Sequence, residues 1–212
     1  MNGRTSAMMC GMKVAQRRLT YPELRLLPDN GRGYELVDGE VYLGGEKIPL
    51  DTLLDGSELP VTPSPSEKHQ RVSGHLFVSM YQHVKSNRLG SVYYAPFDVV
   101  FGEHTAFQPD IVFVSQARRG IVGPEYILGP PDLVVEIISP FRANYDRGRK
   151  FENYARHGVG EYWIIDPIAE IIEVFQLVKG QYELKGAHSE EQFLESPLLP
   201  GWKVAAHDLF VG

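Results

Sequence analysis

The spacing of apolar and polar residues divides this chain into strands and helices. Tyr34-Glu35-Leu36-Val37-Asp38-Gly39-Glu40-Val41-Tyr42-Leu43 predicts a hairpin turning at Asp38-Gly39, a pair that tolerates the positive φ angles of a two-residue turn. Ahead of it, Thr20-Tyr21-Pro22-Glu23 predicts a short helix with threonine as N-cap, proline in the first turn and glutamate three places after the cap. Pro28, Asn30, Gly31 and Gly33 are expected to end it. Residues 44–65 hold glycines and prolines without strong periodicity and predict an irregular excursion.

From Ser66 to about Asn87 the pattern becomes helical. His69, Val72, Ser73, Leu76, Phe77, Met80, His83 and Val84 share one face, while Lys68, Gln70, Arg71, Gln82 and Lys85 fall mostly on the other. Strands are predicted at 91–101, 108–114 and 131–138, then a helix over 145–157 closed by Gly158, then a strand over 161–166. A hairpin of Ile171 to Val178 and Gln181 to Leu184 turns at Lys179-Gly180, and a short tail carries Pro197, Pro200 and Trp202. Strand 131–138, helix 145–157 and strand 161–166 have the order of a β-α-β crossover, so the two strands should be parallel neighbours. The predicted class is α/β, a mixed β-sheet flanked by helices, with residues 18–212 as one domain behind a disordered leader, 1–17.

Two of these strands carry an acid where none is expected. Asp110 precedes Ile111-Val112-Phe113-Val114, and Glu136 interrupts Leu133-Val134-Val135-Glu136-Ile137-Ile138. Runs this apolar read as central strands covered on both faces. An ionised carboxylate there is costly unless paired, hydrogen-bonded or bound to a cation. Alternation puts Val134, Glu136 and Ile138 on one face, and Asp110, Val112 and Val114 on one face of the other strand. If the two acids point the same way from adjacent strands, they can share a divalent cation. Oxygen-only donors suit Mg²⁺ or Mn²⁺ rather than zinc.

The following helix adds cations. Arg147, Lys150, Phe151, Tyr154 and Ala155 make one stripe, and Arg149, Glu152, Asn153 and Arg156 make a solvent-facing one. Arg147 and Lys150 therefore lie toward the sheet and call for anionic partners. A lysine beside two metal-binding acids can orient a water and stabilise charge on a phosphoryl oxygen. The alternative for Lys150 is a side chain that snorkels over the sheet edge. Asp146 reads as the N-cap of this helix, Asp132 and Asp166 as turn or capping groups beside prolines, and Tyr162 and Trp163 as core aromatics.

Composition narrows the function classes. Net charge is −6, which argues against an extended basic groove for nucleic acid while leaving room for a local one. The single cysteine, Cys10, permits no intramolecular disulfide and fits a reducing cytoplasm. No apolar run is long enough for a membrane span. The first twelve residues lack a signal-peptide core and read as a leader or an upstream start, with Met8, Met9 and Met12 as alternatives.

At these residues the chain resembles a known family. Pro109-Asp110 followed by a glutamate inside an apolar strand is similar to the PD-(D/E)XK nuclease pattern. The string from Pro131 to Pro140, then Asp146-Arg147, Lys150, Tyr154, Gly158-Val159 and Glu161 to Pro167, resembles the Uma2 family of restriction-endonuclease-like proteins. Tyr34 to Glu40 and Ser64 to His69 match its N-terminal blocks, so the resemblance spans roughly 18–210. The chain departs from the general nuclease pattern at Ile138, where that pattern has lysine. The resemblance implies that a later helical residue substitutes, and Lys150 is the candidate.

The resemblance implies a restriction-endonuclease-like core and an Mg²⁺- or Mn²⁺-dependent endonuclease acting on DNA. Asp110 and Glu136 would hold the metal, helped by Glu35 and the backbone carbonyl of Ile137, and Lys150 would position the attacking water. His69, Arg147 and Tyr154 are accessory candidates. Glu35 reads otherwise as a solvated edge-strand glutamate, and His69 as a packing residue on an apolar face. Arg118, Arg119, Arg142, Arg147 and Arg149 lie in or beside loops flanking these strands and could contact a nucleic-acid backbone. The alternatives are a catalytically inactive binding or scaffold protein with the nuclease fold, and a hydrolase of smaller phosphate esters. A homodimer is compatible with the resemblance, though the chain does not specify one.

Overall fold

A computed structural model describes residues 17–27, 33–54, 57–59, 63–140 and 142–211. The expected leader lies almost wholly outside these residues, as do Cys10, Pro28, Asn30 and Gly31.

The hairpin at Asp38-Gly39 forms as its sequence predicts. Strands β1 (Tyr34–Val37) and β2 (Glu40–Leu43) pair antiparallel, and Asp38 and Gly39 both take positive φ. The short helix α1 (Tyr21–Leu24) is capped where Thr20 N donates to the Glu23 carboxylate at 2.8 Å. The excursion expected at 44–65 instead holds strand β3 (Glu46–Ile48) and helix α2 (Leu50–Leu54). Their apolar residues, Ile48 and Leu53, join a core with Leu36 and Val41, which supplies the order that local periodicity did not signal.

Helix α3 (Glu67–Asn87) starts at the Ser66 cap and buries Val72, Leu76, Met80 and Val84. The run expected as one strand over 91–101 is two, β4 (Gly90–Tyr94) and β5 (Asp98–Gly102), broken at Ala95-Pro96. The break matters because the two halves enter different sheets. One sheet has the order β3-β2-β1-β6-β5-β8, where β6 is Thr105–Phe107 and β8 is Tyr126–Leu128. The other has β12-β11-β10-β9-β7-β4, with β7 (Ile111–Ser115), β9 (Leu133–Ile137), β10 (Glu161–Asp166), β11 (Ile171–Val178) and β12 (Gln181–His188). Both sheets are mixed, each with one parallel pair. The expected α/β class with mixed sheet flanked by helices holds, but the strands expected in one sheet are divided between these two.

Strands β9 and β10 are parallel neighbours, as the crossover predicts. Between the two sheets lie Val37, Tyr42 and Phe107 from the first and Val134, Ile138, Tyr162 and Ile164 from the second. The opposite face of the second sheet is covered by α3 and by the C-terminal segment. That segment is not a plain tail: it forms β13 (Phe193–Glu195), β14 (Lys203–Ala205) and α5 (Ala206–Phe210). Trp202 stacks on Trp163 with centroids 5.8 Å apart.

The helix expected over 145–157 begins as a π-helix, Tyr145–Lys150, and continues as α4 (Phe151–His157), closed by Gly158 in the left-handed region. Bonding from i to i+5 takes up more than four residues per turn. Residues five apart, such as Tyr145 and Lys150, then share a face, which an α-helical wheel does not predict. Tyr145, Asp146, Lys150, Asn153 and Tyr154 turn inward, and Arg147 turns out to pair with Glu173 on β11. This corrects the expected inward Arg147 and the expected solvent-facing Asn153.

Candidate active site

The inner faces of the two sheets meet around one lysine. Glu35 lies two residues before Val37 on the inner face of β1, and Glu136 lies between Val134 and Ile138 on the inner face of β9. Neither is solvated: both are at least nine-tenths buried. The reading of Glu35 as an edge-strand glutamate fails because β1 is flanked by β2 and β6. Lys150 Nζ lies 2.9 Å from Glu35 Oε1 and 2.9 Å from Glu136 Oε1, with Asp146 Oδ1 at 3.5 Å. It does not snorkel, being only 3% exposed.

Asp146 was expected as a helix cap and is instead a buried member of this cluster. Its spacing of four from Lys150 was the available signal. Tyr154 donates its hydroxyl to Glu136 Oε1 at 2.7 Å, so Glu136 is held from two positions of one helix. Tyr145, which sequence reasoning did not single out, lies with its ring 5.7 Å from Lys150 Nζ. Its buried hydroxyl has no hydrogen-bond partner among the described residues.

Asp110 stands just before β7 rather than inside it. The antiparallel register Ile111↔Val135 places it across from Glu136. Asp110 Oδ2 accepts the Ile137 backbone N–H at 2.7 Å, which ties the start of β7 to the end of β9. Its Oδ1 lies 3.4 Å from His69 Nε2, so His69, near the start of α3, borders the cluster rather than merely packing. The buried His69 Nδ1 has no partner among the described residues. Ile138, where the general nuclease pattern has lysine, is buried between the sheets, and the amino group beside Glu136 comes from Lys150.

The expected arginines divide. Arg118 is spent on Asp132 and the Pro130 carbonyl, and Arg147 on Glu173. Arg149 lies over the Tyr42 ring at 4.7 Å. Asp166 accepts the backbone N–H groups of Ile168 and Ala169, as a turn group should. Asp132, expected as a turn or capping group, instead accepts the N–H of Ser115 on β7 and pairs with Arg118.

Charge balance is the chief electrostatic fact. Glu35, Glu136 and Asp146 surround a single lysine, and Asp110 lies across the strand pair from Glu136. Burial pushes the Glu136 carboxyl well above its ordinary range; Lys150 pulls it back, while Asp146, Asp110 and Glu35 push it further up. Burial also raises Asp146 to about 6. Burial alone would lower Lys150, yet Glu136, Glu35 and Asp146 hold its pKa well above the usual lysine value, so it is a fixed cation at neutral pH. Oxygen donors with surplus negative charge match a hard divalent cation in their chemistry. In their arrangement, no three acidic, histidine or cysteine side chains among the described residues surround one point as metal ligands.

No helix among the described residues is long and apolar enough to cross a membrane. Comparison with known proteins agrees with the resemblance read from the motif blocks. A putative nuclease belonging to DUF820 from Anabaena variabilis, of known crystal structure, superposes with a TM-score of 0.69 over 91% of this chain and 97% of that one, at 20% identity. No curated protein sequence matches the chain. Residues 21–207 match the Uma2 model, described as "Putative restriction endonuclease". With that match covering most of its length, the chain belongs to the Uma2 family.

Proposed function

We propose that this protein is a metal-dependent endonuclease that hydrolyses DNA phosphodiester bonds, with Asp110, Glu136, Lys150 and Glu35 as its catalytic set. The observation that carries the reading is the buried lysine bridging Glu35 and Glu136 beside Asp110. An amino group from the π-helix stands in for the one that Ile138 lacks. The cation would be Mg²⁺ or Mn²⁺, held by Asp110 and Glu136 with help from Glu35 and the Ile137 carbonyl. The chemistry such a cation would supply is polarisation of the phosphate and stabilisation of charge on the leaving oxygen.

The chain's own residues do the rest. Lys150, protonated at neutral pH, orients a water by hydrogen bonding and offsets charge on the phosphate; its raised pKa makes it a poor base. Tyr154 fixes the rotamer of Glu136 by its hydroxyl bond. The Ile137 N–H does the same for Asp110. We assign the protein to the cytoplasm on the ground of its single cysteine.

The test is plasmid nicking with Mg²⁺ or Mn²⁺ against EDTA. Metal-dependent cleavage is expected, and Glu136→Ala should lower it by about 10²-fold or more. Cleavage that persists unchanged in Glu136→Ala sinks the site assignment. A second reading, a non-catalytic binding protein, is favoured by the saturation of Lys150 with three carboxylates and by the lack of a three-ligand arrangement among the described residues. It predicts no cleavage and no thermal shift on adding either metal.

A further inference from the structure

Acidic residues are distributed unevenly in this chain. It carries 27 of them and a net charge of −6, yet none occurs from Lys68 to Phe97 or from Ile111 to Pro124. Those two stretches make α3 after its first residue, the edge strand β4, its partner β7 and the following 3-10 turn, Gln116–Ile121. Lys68, Arg71 and Arg118 of these stretches pair with Glu170, Glu67 and Asp132, but on the side toward the end of α3 Lys85 and Arg88 have no acid of their own stretch beside them.

On that side the exposed aromatics form a row. Tyr94 packs on Phe77 with centroids 4.6 Å apart, and Phe77 stacks on Tyr81 at 5.6 Å. Lys85 Nζ lies 5.3 Å from the centre of the Tyr81 ring. Tyr94 is 59% exposed and Tyr81 41%, and with Phe77 between them they form a contiguous aromatic patch rather than single exposed rings. The row leads into a groove of about 440 Å³ lined by Tyr81, Lys85, Arg88, Ser91 and Gln116. Neither Lys85 nor Arg88 forms an ion pair among the described residues. The other end abuts the candidate active site, since Ala95 N donates to the Asp110 carbonyl at 3.0 Å, and His69 on α3 borders Asp110.

We propose that this row and groove bind single-stranded nucleic acid, guiding a strand along α3 and β4 to or from the Asp110 end of the sheet. Aromatic faces accept unpaired bases whatever their identity, and interleaved cations neutralise the backbone. A second copy of the chain is the other occupant to weigh, because β4 is a free sheet edge. A two-fold contact there would set Lys85 and Arg88 against their own copies with no acid from either stretch between them.

The proposal rests on the nucleic-acid reading of the site, but its test is separate from cleavage. Anisotropy of a labelled oligothymidylate of about a dozen nucleotides is followed in EDTA, where no cleavage is expected. Binding should weaken with salt. Tyr81→Ala and Tyr94→Ala should each weaken it about tenfold, and the Lys85→Glu, Arg88→Glu double variant should weaken it further and flatten the salt dependence. All four side chains are at the surface, so these variants keep the fold. No binding, equal affinity in the aromatic variants, or equal affinity for duplex independent of Tyr81 would overturn the proposal. So would a dimer mass by light scattering that reverts to monomer in Tyr94→Ala while oligothymidylate affinity stays the same. Binding as expected from a protein that cuts no DNA would leave this surface standing and remove the endonuclease reading.

Discussion

Burying a lysine ammonium costs several kcal/mol unless anions surround it, and Lys150 has three carboxylates within 3.5 Å. The cost is thereby transferred to the acids, which outnumber it. Asp146 shows this most directly. Its carboxyl has an ordinary value of 3.8 and is raised to about 6 in the folded protein, burial being the main cause. The folded state thus holds the proton more tightly than the unfolded one. Stability from this group is complete below pH 3.8 and is lost as the pH rises through about 6. In metal-free buffer, Asp146→Asn should flatten the fall in urea midpoint across that window. Equal slopes for the variant and the parent would show that Asp146 is not the group responsible. The role of Lys150 as the inward cation was legible in the helical stripe. The place of Asp146 was not, because an acid at a helix start is most simply a cap.

At the scale of elements, the π-helix decides which side chains reach the site. A wheel at α-helical spacing puts Arg147 beside Lys150 and turns Tyr145 away; the wider turn reverses both. The β2–β3 turn presses on this segment. A Cβ added to Gly45 would lie 3.1 Å from the Cβ of Tyr145, and Gly45 holds a φ of +87° that other residues adopt with strain. Gly45→Ala should therefore cost about 1–3 kcal/mol in chemical denaturation and reduce any cleavage. Gly148→Ala is the control: it lies in the π-helix, has nothing within 4 Å of the added carbon and no positive φ, and should be neutral or slightly stabilising. A Gly45→Ala protein as stable as the parent would mean that the turn yields without strain. Hydrophobic spacing located this helix to within a residue, but it could not report a change of helical type.

Across the whole molecule, the second sheet is closed by the C-terminal segment. Trp202 stacks on Trp163, and Ser196 donates to the buried Glu161 carboxylate at 2.9 Å. The only two tryptophans of the chain are the two in this stack. Intrinsic fluorescence therefore reports on docking of the segment. Trp202→Ala should lower stability by about 3–5 kcal/mol, with the unfolding midpoint followed by circular dichroism shifted accordingly. A midpoint unmoved by the substitution would mean that the segment adds little to the stability of the sheet. Sequence reading took this region for a tail because its strands are three residues long and its prolines mask their alternation.

The sequence by itself determined the Asp-Gly hairpin, the long helix, the parallel pair of strands and the apolar strands that Asp110 precedes and Glu136 interrupts. Each depends on residues close together in the chain, where turn chemistry and periodicity act directly. It also determined the family, through the order of its motif blocks. Only the tertiary structure decided that β4 and β5 part into different sheets, that Glu35 faces Glu136 across Lys150, and that Asp146 and Tyr145 join them. Those outcomes follow from the packing of two sheets against one helix, where burial and charge balance between distant residues outweigh local preference.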